Sequence, residues 1–243
     1  LPGRFDDHDR GAQEVSRYSW LVRLLPSRLR DHILHFEALI ECEVARLAES
    51  LPEGGRVLDA GAGEGRHARY FSRHCYVGVD LGVGDAAWDY SHLDVVADLA
   101  ALPFRDGCFD ACLNIVTLEH VPNPRAALAE IARTLAPGGR LLLVVPQEWE
   151  VHQAPHDYFR FTRHGIRLLL EEAGFEDIEI RPAGGFFRVL ARRLLNALQF
   201  FPPPLMPVAA LFLAPPALLL PALDFLDRER HFTLGYVCHA QKS

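Results

Sequence analysis

Short apolar runs that end on an acid or an amide recur through the middle of this 243-residue chain, with helical patterns between them. Arg56-Val57-Leu58-Asp59-Ala60 follows the turn Pro52-Glu53-Gly54-Gly55; then come Tyr76-Val77-Gly78-Val79-Asp80, Asp94-Val95-Val96-Ala97-Asp98 and the run from Phe109 to Val116 that contains Asn114. Branched apolar runs of this length, bounded by breakers, predict buried strands. Arg140 to Val145 continues the series, and Phe175 to Ile180 and Phe232 to His239 can supply two last strands. Helices are expected between them. One covers about Arg66 to Arg73. A second starts at the cap Asn123 with Pro124 in its first turn, carries Leu128, Ile131 and Leu135 on one face, and stops at Pro137-Gly138-Gly139. A third, capped by Thr162, carries Ile166, Leu169, Leu170 and Ala173 and ends at Gly174. Alternation of this kind implies a parallel sheet covered on both faces, with ligands at the carboxyl ends of the strands. Upstream, Ile33, Phe36, Ile40, Val44 and Leu47 recur at helical spacing from Asp31 to Ser50, with Asp31 the expected N-cap. Residues 1–50 are read as an N-terminal helical cover and 51–243 as the main domain.

Composition narrows the functions available. Hydrophobic residues make up 49% of the chain and charged ones 23%, enough for a core of ordinary size. A formal charge of -7 with no basic stripe argues against a nucleic-acid partner, because a phosphate backbone must be neutralised by clustered cations. The five cysteines form no close pair, so a reducing compartment is expected and the cysteines give neither a disulfide framework nor a zinc site. Leu1 to Asp9 lack the basic-then-apolar order of a signal peptide, which points to a cytoplasmic protein.

The loop Asp59-Ala60-Gly61-Ala62-Gly63-Glu64-Gly65 lies between a strand and a helix start, where glycine lets backbone approach a ligand. Its third glycine comes one residue too early for the dinucleotide fingerprint. The order acid-x-Gly-x-Gly-x-Gly instead resembles motif I of the class I S-adenosylmethionine-dependent methyltransferases. Further elements extend the resemblance over about Val57 to Ile180: Asp80-Leu81, Asp98-Leu99 followed by Leu102-Pro103-Phe104 and Phe109-Asp110, Asn114, Leu118-Glu119-His120-Val121 and Pro137-Gly138-Gly139. The resemblance implies a Rossmann-like sheet of seven strands with the last antiparallel, and S-adenosyl-L-methionine as cofactor. It places that cofactor on Asp59, Gly61, Ala62, Gly63, Asp80, Leu81, Asp98, Leu99 and Asn114. Asp80 takes the ribose hydroxyls, Asp98 faces the adenine amino group and the Asn114 carbonyl meets the methionine part. Read without the family, Asp80 could simply cap a strand, and Glu119 and His120 open a helical turn where capping explains them equally well.

A methyl acceptor should lie against the segment after the fifth strand, Pro146 to Thr162. Its Pro155-His156-Asp157-Tyr158-Phe159-Arg160-Phe161-Thr162 stretch resembles an element of the type 11-like branch, often associated with polysaccharide and lipid-linked sugar pathways. His156 beside Asp157 is the candidate base, with His120 the fallback and His152 in reserve. Arg160 and Tyr158 are candidate acceptor ligands, Arg160 through its planar fork. Equally, His156 and Arg160 could pin the loop against the next helix. The expected reaction is O-methylation of a small or lipid-linked, saccharide-type acceptor. The rivals are C-methylation of a prenylated quinone-like ring and a non-catalytic module that binds cofactor or lipid.

One segment breaks the pattern. From Leu194 to Leu223 there are 30 residues without a charge, seven of them proline. Before it, Phe186 to Leu195 sets Arg188, Arg192 and Arg193 near one helical face, as interfacial helices do. An insertion over 186–226 of short, proline-broken helices is expected. It should roof the site, touch lipid or a membrane surface, or make a homodimer contact, without crossing a bilayer.

Overall fold

Strand order in the sheet is β3-β2-β1-β4-β5-β7-β6, as seen in a computed structural model that describes residues 27–84 and 87–243. The strands are β1 (Arg56–Ala60), β2 (Cys75–Asp80), β3 (Val95–Val96), β4 (Phe109–Ile115), β5 (Leu135–Pro146), β6 (Phe175–Pro182) and β7 (Gly235–Lys242). The first five run parallel, and β7 is antiparallel to both of its neighbours. The Rossmann-like, seven-strand sheet read from the sequence is therefore present, with the final strand inserted between the fifth and sixth.

Side chains of the central strands alternate between two apolar layers, as the period of two requires. Leu58, Cys112, Leu141, Leu143 and Val145 point to one face. There they meet Leu128 and Ile131 of α3 (Pro124–Thr134) and Ile166 and Leu170 of α4 (Arg163–Glu172). Val57, Leu113, Leu142 and Val144 point to the other, against Phe36, Ile40, Val44 and Leu47 of α2 (His35–Ser50). Both caps read from the sequence are made: Asn123 accepts from Ala126 N at 3.2 Å and Thr162 from Gly165 N at 3.1 Å. Buried Glu43 ties α2 to the sheet edge, accepting from Arg181 of β6 at 3.1 Å, with His239 Nε2 of β7 also 3.1 Å away.

Four expectations are corrected. The helix over Asp31 to Ser50 is two, α1 (Ser27–Ile33) and α2, so Asp31 lies inside a helix and the N-cap of α2 is Leu34, which gives no side-chain cap. Arg66 to Arg73 is not an α-helix but a series of turns with one tight turn at Ala68–Phe71. The loop glycines before it hold positive φ, and too few residues remain before β2 to repay helix nucleation. The third strand shrinks to Val95–Val96, because Asp94 spends its carboxylate on Gly78 N (2.8 Å) and Asp98 turns back on Ala100 N (2.8 Å). Residues 1–26 of the expected cover lie outside the described residues.

The fourth correction concerns the apolar insertion. It forms α5 (Phe186–Asn196), α6 (Met206–Leu219) and tight turns through Leu226, with Pro215 and Pro216 inside α6 rather than breaking it. Each proline removes the N–H that would serve the carbonyl four residues earlier, so Leu211 and Phe212 lose their ladder partners. Both are exposed (70%), where water can serve those carbonyls. The arginines of α5 do not face outward as a basic interfacial stripe. Arg188 pairs with Asp224 (3.3 Å), Arg192 with Glu37 (3.1 Å) and Arg193 with Glu150 (2.6 Å), and Arg192 also lies over the Trp149 ring. Asp224 and Asp227 accept from the Gly185, Phe186 and Arg188 amides, completing the N-terminus of α5 from across the insertion. The helix is thus held by its charges, and its apolar neighbours are left outside.

Candidate active site

Because β1 to β4 are parallel and in register, their carboxyl ends bring Asp59, Asp80, Asp98 and Asn114 to one edge. Asp59 is fully buried; its Oδ2 accepts from the Tyr76 hydroxyl at 2.6 Å, and its Oδ1 has no partner. Burial, with Asp59 adjoining, pushes the Tyr76 phenol upward, so it stays a donor. Asn114, also fully buried, donates to Ala60 O at 2.7 Å while its Oδ1 has no partner. Two unsatisfied acceptors inside a protein call for a ligand that brings donors. Asp80 accepts from Gly63 N (3.0 Å) and Gly82 N (2.8 Å), one on each oxygen, which leaves lone pairs on both.

The glycine loop is fixed by sterics. Gly61 has φ +94°, and a Cβ there would lie 2.2 Å from Cγ2 of Thr117, whose hydroxyl donates to Ile115 O at 3.0 Å. Trp88 lies against Gly63. Leu81 is half exposed at the rim, whereas the Leu99 side chain is buried in the core, so only its backbone can serve the site. Asp98 is exposed and anchors its own turn.

A second cluster follows β4 and β5. Glu119 is fully buried with neither carboxyl oxygen hydrogen-bonded, and burial pushes its carboxyl up to about 8. Its neighbour His120 has its imidazole pKa lowered, chiefly by burial. His120 Nδ1 lies 2.6 Å from the His156 carbonyl and Nε2 3.1 Å from His152 Nε2. The His156 ring contacts the Tyr158 hydroxyl at 3.0 Å. Asp157 does not orient His156; its carboxylate takes both Nη atoms of Arg160 (2.6 and 2.8 Å) and the His152 N–H (2.9 Å). Burial alone would raise that carboxyl, but the Arg160 guanidinium brings it below its ordinary range. Arg160 also donates to the carbonyls of Trp149, Glu150 and Phe159. It clasps the loop on itself, so the expected role of binding an anionic acceptor gives way to the pinning alternative.

The structure thus brings together the predicted cofactor residues at one edge and His120, His152 and His156 beside them. Sequence reasoning passed over Glu119 as a local cap and missed Tyr76 and Thr117. A hydroxyl or carboxylate in an apolar run was the available signal for Tyr76 and Glu119.

Gly54 and Gly61 separate backbone strain from steric contact. Gly54 has φ +76° with nothing near its would-be Cβ, so Gly54→Ala pays only the positive-φ cost, about 1–2 kcal/mol. Gly61→Ala adds the Thr117 overlap and is expected to lose measurably more stability in urea denaturation, at unchanged m-value.

Comparison with known proteins agrees with this geometry. A model of the methyltransferase domain family matches residues 58–143. The tRNA (carboxymethyluridine(34)-5-O)-methyltransferase alkbh8 of Xenopus tropicalis is 34% identical over 109 residues, 43% of this chain and 17% of that protein. An Arabidopsis thaliana protein of the same activity name is 32% identical over 116 residues, 46% of this chain and 28% of that protein. The chain therefore spans less than a third of the length of these relatives. Among solved structures, the [4+2]-cyclase SpnF is similar with a TM-score of 0.53 at 24% identity, covering 83% of this chain and 80% of that one. The Haemonchus contortus phosphoethanolamine N-methyltransferase 2, solved with S-adenosylhomocysteine, is similar with a TM-score of 0.54 at 19% identity, covering 83% and 52%. Such structural likeness speaks for the fold, and the sequence match for the domain. Residues 58–143 carry a methyltransferase domain, in agreement with the resemblance of the sequence to the class I S-adenosylmethionine-dependent methyltransferases of the type 11 branch.

Proposed function

We propose that this chain methylates an oxygen of a small or lipid-linked acceptor at the carboxyl edge of its sheet. The observation that carries the reading is the row of acceptors there, two of them buried without a donor. S-adenosylmethionine supplies a methyl group already activated on a sulfonium, and it presents donors: an ammonium, two ribose hydroxyls and an adenine amino group. Asp59 Oδ1 and Asn114 Oδ1 suit the ammonium, the spare lone pairs of Asp80 suit the ribose, and Asp98 suits the adenine. Gly61, Ala62 and Gly63 would bring backbone alongside, with Leu81 and the Leu99 backbone at the base. What remains for the protein is to hold the acceptor in line and to take a proton from its hydroxyl.

His156 is the preferred base. The ring of the alternative, His120, is engaged at both nitrogens, whereas His156 is held through Nδ1 by Tyr158. The tRNA named for the curated relatives is not carried over, because the chain has a net charge of -7. A lipid-linked acceptor is favoured by the way the insertion is moored. Arg193 donates to Glu150 Oε2 and Glu148 O, both at 2.6 Å, in the very loop that carries His152 and His156. The insertion moored in this way exposes an apolar surface that includes Leu211, Phe212, Leu219 and Phe225. The 21-residue helical run Met206–Leu226 is long and apolar enough to cross a membrane by length and composition. Leu211 and Phe212, whose carbonyls lose their usual helical donors to Pro215 and Pro216, instead favour a seat on the membrane surface, where water reaches those carbonyls.

Asp80→Ala removes a charged acceptor of two hydrogen bonds, each worth about 1.5–3 kcal/mol. Calorimetry should show S-adenosylmethionine affinity falling at least tenfold; unchanged affinity would refute the site. With an acceptor in hand, His156→Ala is expected to lower turnover by about 10² to 10⁴ while cofactor affinity holds. Since the α5 arginines are spent on internal acids, flotation with phosphatidylcholine vesicles should be as strong as with anionic ones, and should be lost in Leu211→Glu/Phe212→Glu.

A further inference from the structure

The orientation of two histidines points to a cation. His120 Nδ1 faces the His156 carbonyl at 2.6 Å, and a carbonyl only accepts, so Nδ1 carries the hydrogen. His152 Nδ1 faces the Glu150 carbonyl at 3.1 Å, with Asp157 Oδ2 at 3.5 Å, so the same holds there. Each neutral imidazole must then present a lone pair at Nε2, and those two nitrogens face each other at 3.1 Å, the rings 82° apart. Beside them lies Glu119, fully buried and without a hydrogen bond, with Oε1 3.8 Å from His120 Nε2. Two lone pairs facing each other repel unless a positive centre lies between them, and the unserved Glu119 carboxyl group adjoins that half-buried place.

We propose that Glu119, His120 and His152 bind a divalent first-row transition-metal ion. Two imidazole nitrogens bound at about 2.0–2.1 Å sit roughly 3.3 Å apart at a tetrahedral angle and roughly 2.9 Å at a right angle. The observed 3.1 Å lies between the two. The donor atoms of the three residues all fall within 4.8 Å of one another. Two imidazoles and a carboxylate suit zinc, manganese or iron rather than magnesium or calcium. The surroundings are those a ligating histidine needs, with each Nδ1–H fixed by an acceptor. His152 is further held by Asp157, which accepts its N–H and is itself gripped by Arg160. Three protein ligands leave a coordination position, and the site lies on the loops that follow β4 and β5, where the acceptor is placed. An acceptor hydroxyl bound there would lose its proton more readily, with His156 to receive it. That last role rests on the methyl-transfer reading; ion binding does not.

Titration of untagged, metal-free full chain with Co²⁺ alone tests the site. The expected result is one equivalent per chain with visible ligand-field absorption, displaced by Zn²⁺, and a rise in Tm on addition of metal. His152→Ala, on an outer loop, and Glu119→Gln, which keeps the side-chain volume, should each weaken Co²⁺ binding at least tenfold while the circular dichroism spectrum is retained. Absence of stoichiometric absorption in the unmodified chain would overturn the proposal and leave a shared proton between the histidines as the explanation. Equal Co²⁺ affinity in His120→Ala/His152→Ala would overturn it as well. Loss of S-adenosylmethionine binding with Co²⁺ binding intact would fault the methyl-transfer reading instead.

Discussion

A strand buried on both faces has no side left for chemistry, only ends. In this protein β1, β4 and β5 are in that position: every residue of β1 after Arg56 is buried, and so is the run from Leu141 to Pro146 in β5. Parallel pairing then sends all the carboxyl ends the same way, and polar residues placed last in each strand arrive at one edge without any long-range signal being needed. The buried acids and amides at that edge are expensive wherever they lack partners, and they are tolerable because the same packing that desolvates them also aims them at a common point.

The second half of the site depends on a different device. The segment between β5 and α4 has no regular structure of its own, yet it carries His152, His156 and an aromatic run. Its shape is imposed by the Arg160 guanidinium, whose donors collect Asp157 and the carbonyls of Trp149, Glu150 and Phe159. A planar fork with fixed donor directions can gather a loop in this way where a lysine could not. The Tyr158 and Phe159 amides both donate to the Glu119 carbonyl, which locks this loop to the turn after β4. His120 and His152 meet for that reason, 32 residues apart in sequence.

How much of this was legible beforehand follows the range of the forces involved. The Asn123 and Thr162 caps were read correctly because a cap is decided within three residues. The row Asp59, Asp80, Asp98 and Asn114 was legible because strand period and parallel pairing leave few alternatives. The face of α5 that carries Arg188, Arg192 and Arg193 was visible too, but periodicity cannot say what a face meets, and it meets Glu37, Glu150 and Asp224 rather than solvent. The convergence of Glu119 with two histidines was hidden for the same reason, being a product of β4 and β5 lying side by side. Where the reading of local propensity failed outright, as in the turns after Gly65, a short segment had too little length to form a helix against the loop before it.

The insertion of β7 between β5 and β6 gives the apolar segment an unusual point of attachment. The chain leaves the sheet at the end of β6 and re-enters at the start of β7, and those two points are neighbours: Ala183 N donates to Gly235 O at 2.9 Å. An excursion whose ends are already fastened together places no strain on the sheet, whatever its length, since the closure entropy grows only slowly with added residues. Replacement of everything between Gly184 and Leu234 therefore amounts to a cassette exchange. A lineage could trade one such segment for another, greasy or polar, without disturbing the row of Asp59, Asp80, Asp98 and Asn114 at the carboxyl edge.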